Sequence, residues 1–125
     1  MPQKISITAG ELQLNGELND SPTAQAIASV LPLQGTALTW GEEIYFAIPV
    51  MAELDDTAVE LVERGDLGYW PQGRALCLFF GPTPISGPGE IRPASAVNRV
   101  GRMFGGIHSL KQVQAGIIIK VDKVG

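Results

Sequence analysis

GDLGYWPQGRALCLFFGPTPIS, residues Gly65–Ser86, contains two strand-like runs joined by one turn. Asp66–Trp70 and Ala75–Phe80 favour extended structure, and the Pro and Gly between them are turn residues. Upstream, TWGEEIYFAIPV (Thr39–Val50) carries a third run, Glu43–Ile48. Seven of the eight aromatics fall in this part of the chain: Trp40, Tyr45, Phe46, Tyr69, Trp70, Phe79 and Phe80. Adjacent residues on a strand face opposite sides. Each of the pairs Tyr45/Phe46, Tyr69/Trp70 and Phe79/Phe80 therefore sends one ring inward and one outward. Small barrels fill their interior with side chains. The outward rings then need a cover: a helix or loop, a partner subunit, or a ligand.

The flanking sequence supplies the remaining elements. Gln3–Ala9 and Glu11–Leu18 alternate around Ala9-Gly10 and predict a hairpin. Ser21-Pro22 reads as an N-cap followed by proline at the first helical position. Ala24, Ile27, Ala28 and Leu31 then form one apolar stripe on a short helix that Pro32 stops. Further runs at Gly35–Trp40, Ala94–Phe104 and Ile117–Val124 predict strands, and Ser109–Gln114 predicts a second helical turn. About eight short strands with two helical pieces indicate a barrel or sandwich. The Gly- and Pro-rich 81–93 segment reads as a long ordered loop beside the barrel, or a mobile flap. Ala52–Glu63 fits either a helical turn or an irregular strand.

At 125 residues the chain suits a single domain, residues 1–125, and its apolar content of 45% is that of a folded globular protein. No apolar run is long enough to span a membrane. The N-terminus leads directly into the Ile5/Ile7 alternation, which predicts no signal peptide. The single cysteine gives no internal disulfide, so the expected location is cytoplasmic. A formal charge of −4 argues against nucleic acid as a partner. Eight of the thirteen acids lie between Glu42 and Asp66, whereas seven bases lie between Arg74 and Lys123. Such blocks are compatible with a homo-oligomer, although they are more often simply solvated faces.

The Thr39–Val50 and Gly65–Ser86 segments, together with PASAVNRVGR (Pro93–Arg102), resemble the small cyclophilin-like proteins of prokaryotes, formerly a domain of unknown function. The resemblance covers most of the chain in order. It implies a mainly β fold, a closed eight-stranded antiparallel cyclophilin-like barrel with one or two short helices. In the more distant proline isomerases, Glu43–Ile48 corresponds to the Phe-His-Arg strand and Leu76–Gly81 to the Ser-Gln-Phe-Phe strand. Here no arginine stands in the first strand, and Leu78 replaces the glutamine of the second. The residues expected for isomerisation are therefore missing.

Few side chains offer other chemistry. Glu42 and Glu43 are neighbours on a strand and point apart, so they cannot form a paired-carboxylate site by themselves. One of them could partner Arg99 or Arg102; the ordinary alternative is an exposed glutamate. Asp66 follows Gly65 at a turn and is expected to bond nearby amides. Cys77 reads as a buried, inert thiol. His108 stands alone, and one histidine with one cysteine makes no usual zinc site. No loop has magnesium or calcium spacing, no serine has an elbow context, and Gly105-Gly106 matches no phosphate pattern. The expectation is no metal and no cofactor. The candidate ligand-binding residues are Trp40, Glu43, Tyr45, Phe46, Tyr69, Trp70, Arg74, Phe79, Asn98 and Arg99. They suggest a binding module whose aromatic groove holds a small molecule or a proline-containing peptide. The alternatives are an atypical peptidyl-prolyl isomerase, a subunit of an amide-hydrolysing complex, or a structural subunit whose outward aromatics bury in an oligomer.

Overall fold

The opening hairpin forms as its alternation predicts. In the computed structural model, which describes residues 2–125, β1 (Gln3–Ala9) turns at Gly10, φ +62°, into β2 (Leu12–Leu18). Ile5, Ile7, Ala9, Leu14 and Leu18 all face the interior. Ser21 caps α1 (Pro22–Ser29), its hydroxyl accepting from the Ala24 N–H at 3.3 Å. This short helix cannot hold itself together in water, and it is fixed by laying Ala24 and Ile27 on the interior core.

The remaining strands are β3 (Leu33–Thr36), β4 (Leu38–Thr39), β5 (Glu43–Ala47), β6 (Ala58–Val59), β7 (Asp66–Trp70), β8 (Ala75–Phe79), β9 (Val97–Phe104) and β10 (Ile118–Lys123). Short 3₁₀ turns at Pro71–Gly73 and Ile107–Gln112 complete the elements; the second begins two residues before the predicted start. All pairings are antiparallel, in the order β3-β10-β1-β2-β9-β7-β8-β5-β4, with β6 added beside β9.

The two ends of that order, β3 and β4, are separated in the chain by Ala37 alone. Ala37 donates to the Ile117 carbonyl at 2.8 Å and accepts from Gly116 N–H at 2.9 Å, while β4 pairs with β5. One bent segment thus pairs with β10 at its start and β5 at its end, and closes the barrel. Counted as one strand, it makes the circuit eight-stranded. The expected strand Gly35–Trp40 is this segment, begun two residues earlier and broken where it changes partners.

The barrel wall is apolar on both faces. Ile44, Phe46, Leu67, Tyr69, Leu76, Leu78 and Phe80 join the interior core, whereas Ala75, Cys77, Phe79 and Val97 form a second cluster outside. The outer cluster is roofed by the segments before β7 and before β9, which meet in a bridge from Val62 N–H to the Ile91 carbonyl at 3.0 Å. The Gly- and Pro-rich loop is folded on itself. Thr83 Oγ1 donates to the Arg92 carbonyl at 2.5 Å, and Ser86 Oγ accepts from the Thr83 and Arg92 amides, each at 2.9 Å. The 52–63 stretch is irregular with the two-residue strand β6. Buried Asn98 ties it to the helix: it donates to Thr23 Oγ1 and the Glu53 carbonyl and accepts from the Asp55 amide.

Candidate functional site

Strand parity decides which aromatic rings meet. On β5, Glu43 and Tyr45 face outward while Ile44 and Phe46 face the interior. On β7, Tyr69 faces inward and Trp70 outward; next to β8, Phe80 faces inward and Phe79 outward. Tyr45 and Trp70 consequently meet edge to face, centroids 6.2 Å apart and planes at 85°, an arrangement aromatic pairs favour. Gly68 sits outward between them and β9. A Cβ there would lie 3.0 Å from Val97 Cγ2 and 3.1 Å from Phe79 Cε2, so its absence lets Phe79 and Val97 close beneath the rings.

Above this floor lies a cavity of about 270 Å³ lined by Trp40, Glu43, Tyr45, Trp70, Pro93, Ala94 and Val97. Trp40 comes from the β4–β5 turn, positioned by its N–H donating to the Glu43 carbonyl at 3.0 Å. Pro93 and Ala94 belong to the roofing loop. Trp70 Nε1 donates to Ser95 Oγ at 2.7 Å and so fixes the loop wall to the ring.

Glu43 is the unusual member. It is only 5% exposed, yet it lines the cavity. Burial pushes its carboxyl up to about 7, while a hydrogen bond with the Cys77 thiol acts in the opposite direction. A carboxyl in an apolar setting rises because low dielectric disfavours its charged form. The Cys77 thiol is itself pushed well up by its own burial, then by the charge of Glu43 and their shared bond. It remains a thiol, and a weak nucleophile.

The other expected site residues are placed elsewhere. Phe46 and Tyr69 point into the barrel because each alternates with an outward neighbour; the Tyr69 hydroxyl donates to the Val50 carbonyl at 2.6 Å and accepts from Ala52 N–H at 3.3 Å. Phe79 is outward but wholly covered, a floor rather than a wall. Asn98 is fully buried in the network with Thr23, Glu53 and Asp55. Arg74 caps the Pro71–Gly73 turn with φ +46° and lines a different hollow with Met51, Glu53 and Pro71. Arg99 reaches Asp66 at 3.3 Å and borders a separate groove with Glu17, Asp56, Arg102 and Phe104.

The expectation of an arginine partner for Glu42 or Glu43 is corrected: Glu42 pairs with Lys111 at 3.3 Å, and the arginine goes to Asp66. Asp66 also accepts from the Glu63 amide at 2.8 Å, as a turn aspartate should. Sequence reasoning missed Pro93, Ala94 and Val97 as walls and Cys77 as the neighbour of Glu43. The one available signal was Val97, an apolar residue at the start of a strand facing the same side as Arg99. Among the described residues no group of three or more His, Cys, Asp or Glu could hold a metal ion, and no helix is long and apolar enough to cross a membrane.

The chain matches the Cyclophilin-like family over residues 3–122 and belongs to it. The solution structure of the hypothetical protein AF2241 from Archaeoglobus fulgidus is similar at 42% identity, with a TM-score of 0.82, covering 98% of this chain and 95% of that one. The structure of McbB in complex with tryptophan shares the fold at 14% identity, with a TM-score of 0.70, covering 97% of this chain and 45% of that one. No match was found among curated proteins.

Proposed function

We propose that this protein is a binding module for a small organic molecule, held on the outer face of the barrel between Trp40, Tyr45 and Trp70. One observation carries the reading: a buried carboxyl, Glu43, opens into a cavity whose other walls are aromatic and aliphatic. Ligand sites are concave, largely apolar and furnished with a few placed polar groups. At about 270 Å³ the cavity lies at the small end of such sites, which favours a small molecule over an extended peptide. That McbB, of the same fold, has been seen with tryptophan is consistent with a compact aromatic guest.

Peptidyl-prolyl isomerisation is less well supported, because no arginine lines this cavity to donate to a prolyl nitrogen. Amide hydrolysis lacks an activated nucleophile there, since the nearest thiol is held protonated. The test is a fragment screen by two-dimensional NMR on the full chain. The expected result is a set of small aromatic molecules that shift the indole signals of Trp40 and Trp70 and lose affinity in Trp70→Ala. Shifts confined to the Arg99–Arg102 groove, or binding indifferent to Trp70→Ala, would refute the assignment.

A further inference from the structure

The charge pattern around the cavity narrows the chemistry of its guest. Among the described residues lining the cavity, Glu43 is the one Asp, Glu, Lys, Arg or His. The bases of the roof and β9 lie away from the cavity: Arg92 pairs with Glu90 at 2.9 Å, Arg99 pairs with Asp66 at 3.3 Å, and Arg102 borders the separate groove. The Glu43 carboxyl shares a hydrogen bond with the Cys77 thiol, a weak donor. A buried carboxylate requires a strong donor or a counter-charge. Among the described residues that line the cavity none carries a counter-charge, so the demand is left for whatever enters.

The walls answer to the same chemistry. Trp40, Tyr45 and Trp70 present three aromatic rings within one small cavity, and aromatic faces attract cations, tryptophan most strongly. An ammonium group gains from both a charge-assisted hydrogen bond to Glu43 and the rings around it. An anion meets the carboxylate with no compensating base.

Resting on the reading of this cavity as a binding site, we infer that its ligand is a small organic cation, a protonated amine on an apolar or aromatic body. Glu43 is the counter-ion, and the three rings hold the body and select against anions.

The test uses three probes that share one phenylethyl body: phenethylamine, 2-phenylethanol and 3-phenylpropionate. Each is titrated into the wild-type chain at pH 8 and low salt, with the two tryptophan indole signals as the reporter. Phenethylamine should bind at least tenfold more tightly than 2-phenylethanol, with 3-phenylpropionate weakest. In Glu43→Gln the amine and the alcohol should bind within threefold of each other. Glu43→Asp, which keeps the charge but withdraws it by one methylene, should fall between. The wild-type ratio stands even if a variant fails to fold. Equal affinity for amine and alcohol at the indoles, or an amine preference that survives in Glu43→Gln, overturns the inference while leaving the cavity a binding site. No shift of either indole by any probe removes the binding reading as well.

Discussion

Replacing Glu43 with glutamine removes a carboxyl from the outer aromatic layer while keeping its shape. The native carboxyl titrates at about 7 in the folded protein instead of its ordinary 4.5. Between those two values the folded state holds a proton that the unfolded state has lost. Stability attributable to this group is therefore complete below about pH 4.5 and declines as pH rises, levelling off above 7. At about 1.4 kcal/mol per pKa unit, the loss amounts to about 3 kcal/mol. That figure is an upper bound, because the cavity admits water beside the carboxyl. Glutamine has no proton to lose, so Glu43→Gln should match wild type near pH 4.5 and exceed it by about 2–3 kcal/mol at pH 8. Urea unfolding followed by tryptophan fluorescence, on both proteins from pH 4.5 to 8, measures the difference directly. Taking the difference cancels the opposite contribution of Asp55, whose burial is outweighed by hydrogen bonds from Thr57 and Thr23 that lower its carboxyl. A constant offset across the pH range, or a variant less stable than wild type at pH 8, would refute the argument.

Three further substitutions probe the frame around the site. Tyr69→Phe leaves the buried Val50 carbonyl and the Ala52 amide without their hydroxyl, so unfolding free energy should fall by about 1–3 kcal/mol while the amide spectrum stays native. An unchanged denaturation midpoint would show that solvent replaces the hydroxyl. Gly101→Ala drives a methyl against the Glu17 carbonyl where β2 and β9 pair; because backbone cannot swing aside, a loss of about 2 kcal/mol or more is expected in the same assay. Ser95→Ala frees Trp70 Nε1 from the roofing loop, and hydrogen exchange at residues 94–97 should speed severalfold while exchange in β1 and β2 is unaffected.

The architecture was readable from turn chemistry and strand spacing, but the site was only half readable. Alternation established that one ring of each pair faces outward without saying which, because parity cannot be inferred from a strand apolar on both sides. All five residues of β8 are buried, so its pattern gives no inside or outside. The parity is set at long range, by the bulge at Leu67/Gly68 opposite β9 and by closure through residues 33–39. Glu43 illustrates the consequence most plainly. On its own strand it looks like a surface glutamate, and its burial depends on a roof from the loop before β9, held to the preceding segment by the Val62–Ile91 bridge.

That division of labour also explains how the fold accommodates a carboxyl that weakens it. The interior core draws on β1, β2, β10 and α1 as well as the inward faces of β5, β7 and β8, and none of its members touches the cavity. The outer layer is a smaller cluster, built on one side of the same strands. A domain typically retains 5–15 kcal/mol of net stability, so a penalty of about 3 kcal/mol confined to the outer layer is tolerable where the same group in the interior would compete with every packed strand. The wall of β5, β7 and β8 thus separates residues that secure the barrel from residues free to meet a guest. If so, a ligand that supplies a cation to Glu43 should recover at pH 8 much of the stability that ionisation removes. Thermal unfolding with saturating phenethylamine would then show a larger rise in Tm for wild type than for Glu43→Gln, and equal rises would contradict the separation.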